Sequence, residues 1–230
     1  MLLKILLQID PLMSSALDVQ KEISMPLWEL AKKGGWIMIP LLVLSVIAVY
    51  IFVERYFAIR KAAQTDENFM NRIKDYIHDG KVESASALCR STDSPIARMI
   101  EKGIQRIGRP LPDINAAIEN VGRLEVFKLE RGLPALATAA GGGPMIGFLG
   151  TVTCMIRAFY DMTMAGNNVD VQVLASGIYE ALVTTVAGLV VGIVAYFAYN
   201  VLVANVEKVV NDLEAHTTEF MDLLNEPVNH

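Results

Sequence analysis

The chain has 230 residues, a mean hydropathy of +0.39, 53% hydrophobic and 20% charged residues, and a formal charge of −5. It is too apolar for an ordinary soluble domain and too charged to lie wholly in a bilayer, so the two kinds of residue must be segregated along the sequence. The net charge says little about partners, and no basic patch with interleaved aromatics points to nucleic acid.

Residues 1–33 come first. Met1 to Leu7 holds one Lys and a short apolar run without a small-residue cleavage site, and is read as retained. Ser24 to Lys33 predicts a short amphipathic helix: Ser24 can cap it, Pro26 fits its first turn, and Leu27, Trp28 and Leu30 supply an apolar surface. The first apolar stretch, Gly34 to Val53, reaches the length of about 20 residues that a bilayer requires, and a first span is assigned to 34–57.

A polar, helical region follows over 58–131. Asp66 to His78 and Val82 to Cys89 read as short helices separated by Asp79 and Gly80, Ser94 to Ile107 reads as a third, and Gly108, Arg109 and Pro110 break the chain. From Asp113 onward the spacing of Ile114, Ile118, Val121, Leu124, Phe127 and Leu129 predicts a long helix running into Leu133, with a kink at Pro134. The second apolar stretch, Gly132 to Ile156, is the top of that helix. A second span is assigned to 132–159 and a short connector to 160–170.

The third apolar stretch occupies 171–206 and is longer than one crossing needs, so it predicts a span continued as a helix outside the bilayer, with a C-terminal helix and tail over 207–230. Fourteen of the 20 Lys and Arg residues fall between Glu54 and Arg131, whereas Tyr160 to Gln172 has none. The positive-inside rule then predicts a cytoplasmic polar region, an outer connector, an outer N-terminus and an inner C-terminus, against the sense of Lys4, Lys21, Lys32 and Lys33. The expected fold is an all-α membrane protein with three transmembrane helices, the second and third extended into a cytoplasmic helical bundle.

Glu180 is the single charged residue between Val171 and Val206. An acidic side chain at the centre of a membrane helix costs about 2.5–3.5 kcal/mol, so it faces a bundle interior, a partner or a water-filled path, and it can escape the cost by taking a proton. A span starting after Asp170 puts Glu180 near the midplane, whereas one shifted toward Asn205 puts it near the outer surface. Thr151, Thr153, Thr184 and Thr185 are the hydroxyls available to accompany it, and each can donate and accept. Thr184 lies one turn from Glu180 on nearly the same face, while Thr185 lies about 140° round.

The run from Gly141 to Gly150 lacks the Lys followed by Ser or Thr of a phosphate-binding loop. Gly143 and Gly147, like Gly188 and Gly192, are instead small residues four apart that let helix backbones approach closely, and they predict tight assembly of the second and third spans. Arg157 and Asp161, four apart, are expected to pair at the end of the second span. Cys89 and Cys154 fall on different sides of the predicted topology, which argues against a disulfide, and His78, His216 and His230 are too scattered for a metal site. No cofactor is expected.

The segments Lys32-Lys33-Gly34-Gly35-Trp36-Ile37-Met38-Ile39-Pro40, Phe52-Val53-Glu54-Arg55, Gly132-Leu133-Pro134-Ala135-Leu136-Ala137, Gly147-Phe148-Leu149-Gly150-Thr151-Val152, and Ile178-Tyr179-Glu180-Ala181-Leu182 followed by Thr184-Thr185-Val186-Ala187-Gly188-Leu189 resemble the MotA/TolQ/ExbB proton-channel family. The resemblance covers the chain from about Pro26 onward and is closer to the three-span ExbB and TolQ members than to four-span MotA. It implies that Glu180 is the pore carboxylate, with Thr151 and Thr185 as pore hydroxyls. On Thr185 it disagrees with the helix-face reading, which prefers Thr184, and the motif spacing is preferred. It further implies an oligomeric ring, a pentamer, around a single-span ExbD- or TolR-like protein in the bacterial inner membrane. Such a ring would drive a TonB- or TolA-like protein by proton flow rather than perform enzymatic chemistry. A secondary transporter is the alternative from another class, but three spans without internal repeats are too few for its usual architecture. A membrane scaffold is a third.

Overall fold

A computed structural model describes residues 34–64, 68–164 and 171–225. The expected amphipathic helix from Ser24 to Lys33 and the N-terminal run before it lie outside the described residues, as do Asp66, Glu67, 165–170 and 226–230. The described residues form seven α-helices and no strand: α1 (Met38–Ala63), α2 (Phe69–His78), α3 (Val82–Ser91), α4 (Pro95–Ile104), α5 (Leu111–Glu130), α6 (Leu133–Met164) and α7 (Val171–Asn225). Three of these helical stretches are long and apolar enough to cross a membrane, which makes the chain an all-α protein of the multi-pass membrane class. Only 11% of the apolar window of the first is buried within the chain, so the remainder needs lipid or a neighbour to cover it.

The chain divides into two compact units, and helices α1, α6 and α7 each contribute to both. One unit comprises Gly143–Val190 and the described part of Met1–Val43; the other comprises Leu44–Gly142 and the described part of Val191–His230.

The second unit carries a large aliphatic core. Phe69 and Ile73 of α2, Ile96 and Ile100 of α4, Ile118 of α5, Leu136 of α6, and Leu202 and Phe220 of α7 are all fully buried in it. Each such side chain contributes roughly 1.5–3 kcal/mol by leaving water. Gly103 on α4 is what lets Phe220 in: a Cβ there would stand 2.7 Å from Phe220 Cε1 and 2.8 Å from Ile118 Cδ1. The Ser94 hydroxyl accepts from the Ala97 N–H at 3.3 Å and Pro95 follows at the first helical position, so the start of α4 falls where cap chemistry places it. The pattern in α5 is only partly buried: Ile114, Ile118 and Leu129 face the core, but Leu124 and Phe127 are 61% and 71% exposed.

The long helix expected from Asp113 through the second span is interrupted between α5 and α6, and the cause is not Pro134. Gly132 adopts φ +92°, a left-handed conformation that ends a helix and that an L side chain rarely takes. Pro134 then sits in the first turn of α6, where its missing N–H costs nothing. Within the stretch expected as a connector over 160–170, α6 stays helical to Met164, and 165–170 lie outside the described residues. By contrast, α7 runs unbroken for 55 residues, roughly 80 Å at 1.5 Å per residue, as its lack of internal Pro allows.

Charged side chains tie α1 to the helical region. Arg55 pairs with Glu54 and donates from Nη1 to the Lys128 carbonyl of α5 at 3.0 Å. Lys61 reaches Asp93 at 2.8 Å, and Arg98 bridges Asp93 at 3.0 Å and Glu125 at 2.7 Å. Lys128 completes the network on Glu125 at 2.7 Å. Burial pushes the Glu125 carboxyl up, but its bonds to Arg98 and Lys128 outweigh this and hold it below the usual carboxylate range.

Candidate functional site

The site is built from the first unit, where the end of α7 nearer its N-terminus lies against α6. Two glycine positions set the approach. A Cβ on Gly147 would stand 2.9 Å from the Thr184 carbonyl oxygen and 3.1 Å from Gly188 Cα, and a Cβ on Gly188 would stand 2.5 Å from the Gly143 carbonyl oxygen. Every one of these neighbours is backbone, so Gly143, Gly147 and Gly188 form the close helix contact that their spacing predicts. Gly192, one turn further along α7, is also buried. This contact joins two spans of one chain.

Close backbone approach brings the hydroxyls together. Thr151 Oγ1 of α6 and Thr185 Oγ1 of α7 are hydrogen-bonded to each other, and Thr151 Oγ1 also donates to the Ala181 carbonyl at 3.0 Å. The Gly147 carbonyl lies 3.3 Å from Thr151 Oγ1 and 3.5 Å from Thr185 Oγ1. Thr184 is placed differently. It is fully buried, donates to the Ala181 carbonyl at 2.8 Å, and fills the space left by Gly150, where a Cβ would come within 2.6 Å of its hydroxyl. Thr153 bonds the Leu149 carbonyl of its own helix at 2.8 Å. The structure thus joins Thr151 to Thr185 and encloses Thr184 against Gly150.

Glu180 is partly buried and has a neighbour that no sequence pattern indicates: its carboxylate oxygen Oε1 packs against Gly35, in the turn three residues before α1 begins. The contact with Gly35 sets Glu180 level with the turn that precedes α1. Arg157 and Asp161 form no ion pair, although both lie on the helical part of α6. Cys89 and Cys154 are both free thiols. No group of three His, Cys, Asp or Glu side chains with metal-binding geometry occurs among the described residues.

A carboxyl can hold and release a proton, and a hydroxyl can accept and donate one, so the groups carried by these two glycine-packed spans suit proton exchange without any covalent step. Fold and site together define a polytopic membrane protein whose helix packing surrounds one protonatable group.

The chain belongs to the MotA/TolQ/ExbB proton channel family, whose model matches residues 91–215. It is 32% identical over 176 residues to the biopolymer transport protein ExbB-like 1 of Synechocystis sp., covering 75% of this chain and 68% of that protein. It is 28% identical over 204 residues to the Tol-Pal system protein TolQ of Pseudomonas aeruginosa, covering 84% of this chain and 88% of that one. The biopolymer transport protein ExbB of Neisseria meningitidis is 24% identical over 193 residues, covering 78% and 86%. The chain is therefore an ExbB/TolQ-type proton channel subunit, and relatives bearing both names align with it across most of its length.

Proposed function

We propose that this chain is the stator subunit of an inner-membrane motor of the ExbB-ExbD-TonB type, in which Glu180 carries protons and Thr151 and Thr185 line the path. The observation that supports this most is the Thr151–Thr185 hydroxyl pair, held by glycine packing five residues along α7 from the single carboxyl of the third span. A proton crossing 100 mV gains about 2.3 kcal/mol, and a carboxyl that alternates between charged and neutral forms can convert that gain into motion against a partner's acid. In this reading five copies form a ring around a single-span ExbD- or TolR-like protein, with the N-terminus periplasmic and the C-terminus cytoplasmic. Motion of the ring against that protein drives a TonB-like protein at the outer membrane. Annular lipid covers the exposed apolar faces of the spans.

The TolQ-like relative supports a second reading, a Tol-Pal role in envelope integrity, which uses the same proton chemistry. Glu180→Gln tests what the two readings share. The amide keeps the shape and cannot carry a proton, so energy transduction is lost while the complex keeps its size by native mass spectrometry. Full activity in the Gln variant removes Glu180 from the path. Identifying the co-purified partners separates the readings: a TonB-like protein supports the first, and a TolA-like protein supports the second.

A further inference from the structure

Toward its C-terminus, α7 carries two faces that the proton path leaves unused. The first is one wall of a groove. Between α5 and α7 lies a cleft of about 790 Å³, lined by Gly122 and Val126 of α5 and by Val210 and Leu213 of α7 and edged by Glu130 and Glu214. Toward the span it continues as a cleft of about 390 Å³, which Glu130 shares with Val203 and Glu207. The second face lies opposite the core side of α7: Phe197, Val201, Ala204, Lys208, Asn211 and Ala215, all exposed, recur at alternating steps of four and three. That is the seam spacing of helices that pack knobs into holes. At 3.6 residues per turn the seam lies about 135° round α7 from the groove wall. The groove takes α7 from Val203 to Met221 and the seam runs from Phe197 to Ala215, so both are about 27 Å long. No ion pair among the described residues engages Glu130, Glu207, Glu214 or Lys208. The groove edge is therefore acidic, and the one charge of the seam is a cation.

We infer that the groove between α5 and α7 seats the Phe197–Ala215 seam of a second copy of this chain, with Lys208 of the incoming copy set among Glu130, Glu207 and Glu214. Copies that share one orientation in a membrane are related by rotation about its normal, so each residue meets its own level on the neighbour. Lys208 then stands level with Glu207 and Glu130, which line one cleft, and about 9 Å from the level of Glu214. A single Lys in a seam lowers stability in every register except the one that offers it an acid, so it selects that register. Ala204 and Ala215 are small enough to let the seam settle between the two walls. Seam and groove are different faces, so the contact is heterologous: a copy that fills one groove still offers its own, and the series closes where the rotation allows. A ring of like-oriented copies is taken from the function proposed above, whereas the two surfaces belong to the structure of one chain.

The test co-expresses two differently tagged full-length chains with their membrane partners, both carrying Cys89→Ala and Cys154→Ala. One bears Lys208→Cys and the other Glu130→Cys, two exposed positions whose replacement leaves the core intact. Oxidation in isolated membranes is expected to join the two tags. In the control, Leu124→Cys replaces Glu130→Cys; Leu124 is 61% exposed but lies on the far side of α5 from Val126, and no joined band is expected. In the chain with both native thiols, Lys208→Glu places like charges across the contact and lowers the yield of assembled ring about tenfold, and adding Glu130→Lys restores most of it. Native mass spectrometry counts the copies independently of any cross-link. A ring that forms without the Lys208–Glu130 cross-link, or whose yield Lys208→Glu leaves unmoved, overturns the inference while the ring reading stands. A photoreactive maleimide on Glu130→Cys that captures the single-span partner in place of the second tag overturns it too, and gives the groove to that partner. A chain that stays monomeric by mass and by cross-linking overturns both the inference and the ring.

Discussion

Replacing Gly188 by Ala sets two opposing effects against each other, and the structure decides which wins. In an isolated helix the change is favourable by about 1 kcal/mol, because Gly loses more backbone freedom than Ala on becoming helical. At position 188 the added methyl would stand 2.5 Å from the Gly143 carbonyl oxygen, 2.8 Å from Gly147 Cα and 3.0 Å from the Gly147 nitrogen. Ordinary contact needs about 3.5 Å, so α6 and α7 must separate by roughly 1 Å, with no flexible side chain in between to absorb the change. Overpacking of this kind costs about 1–3 kcal/mol and exceeds the propensity gain in most of that range. The same separation parts Thr151 from Thr185, so proton-driven activity falls with stability. Gly141→Ala is the control, since Gly141 lies in α6 with nothing within 4 Å of its added Cβ and keeps only the propensity gain. Denaturant titration of both variants in mild detergent, alongside transduction in cells, makes the comparison. A Gly188→Ala protein as stable as Gly141→Ala would show that the two backbones are not in contact.

Other outcomes follow from the same geometry. Thr151→Val and Thr185→Val each remove one partner of a hydroxyl pair and lower transduction strongly. Thr184→Val removes a buried bond to the Ala181 carbonyl and shows mainly as a stability loss of about 1 kcal/mol in the same titration. Glu125 has a lowered carboxyl pKa in the folded chain, so its contribution to stability is complete above its unfolded value of about 4.3 and is lost as pH falls through the lower folded value. Glu125→Gln therefore flattens the acid limb of a stability-versus-pH curve, and a limb unchanged by it would refute the role of the network. Cys89 is buried, and its thiol is pushed up to about 12 by that burial first and by the nearby Glu101 second. It resists maleimide at neutral pH until the chain unfolds, as mass spectrometry of the labelled protein would show.

What the sequence revealed and what it hid divide along a physical line. The three spans, the short helices around Ser94 and Gly80, and the small-residue contact all depend on composition and local spacing, which one chain displays in full. The bond between Thr151 and Thr185 was not legible in the sequence, where helix geometry placed Thr184 nearer to Glu180. The geometry was sound, but that face turns inward against Gly150, and no periodicity distinguishes an inward polar residue from one beside a path. Proline is the stronger breaker in a sequence, so a kink at Pro134 in a continuous helix was expected, whereas the left-handed Gly132 interrupts the helix after α5. The neighbour of Glu180 was out of reach altogether: Gly35 lies 145 positions away along the chain, and only packing brings it to the carboxyl.

Where Gly143 and Gly147 of α6 meet Gly188 of α7, the surfaces consist of main-chain atoms, and main chain has no rotamers. Such a junction has one geometry and resists both compression and sliding. The faces pointing away from it, with Phe148, Leu149, Val152 and Ile156 on α6 and Leu182, Val186, Leu189 and Val190 on α7, are exposed and made of side chains that can repack. Whatever lies against them, lipid or protein, meets a yielding surface carried on an unyielding pair of helices. Sequence drift at those outer positions can adjust fit to a neighbour one methyl group at a time, while the hydroxyl pair behind them keeps its spacing.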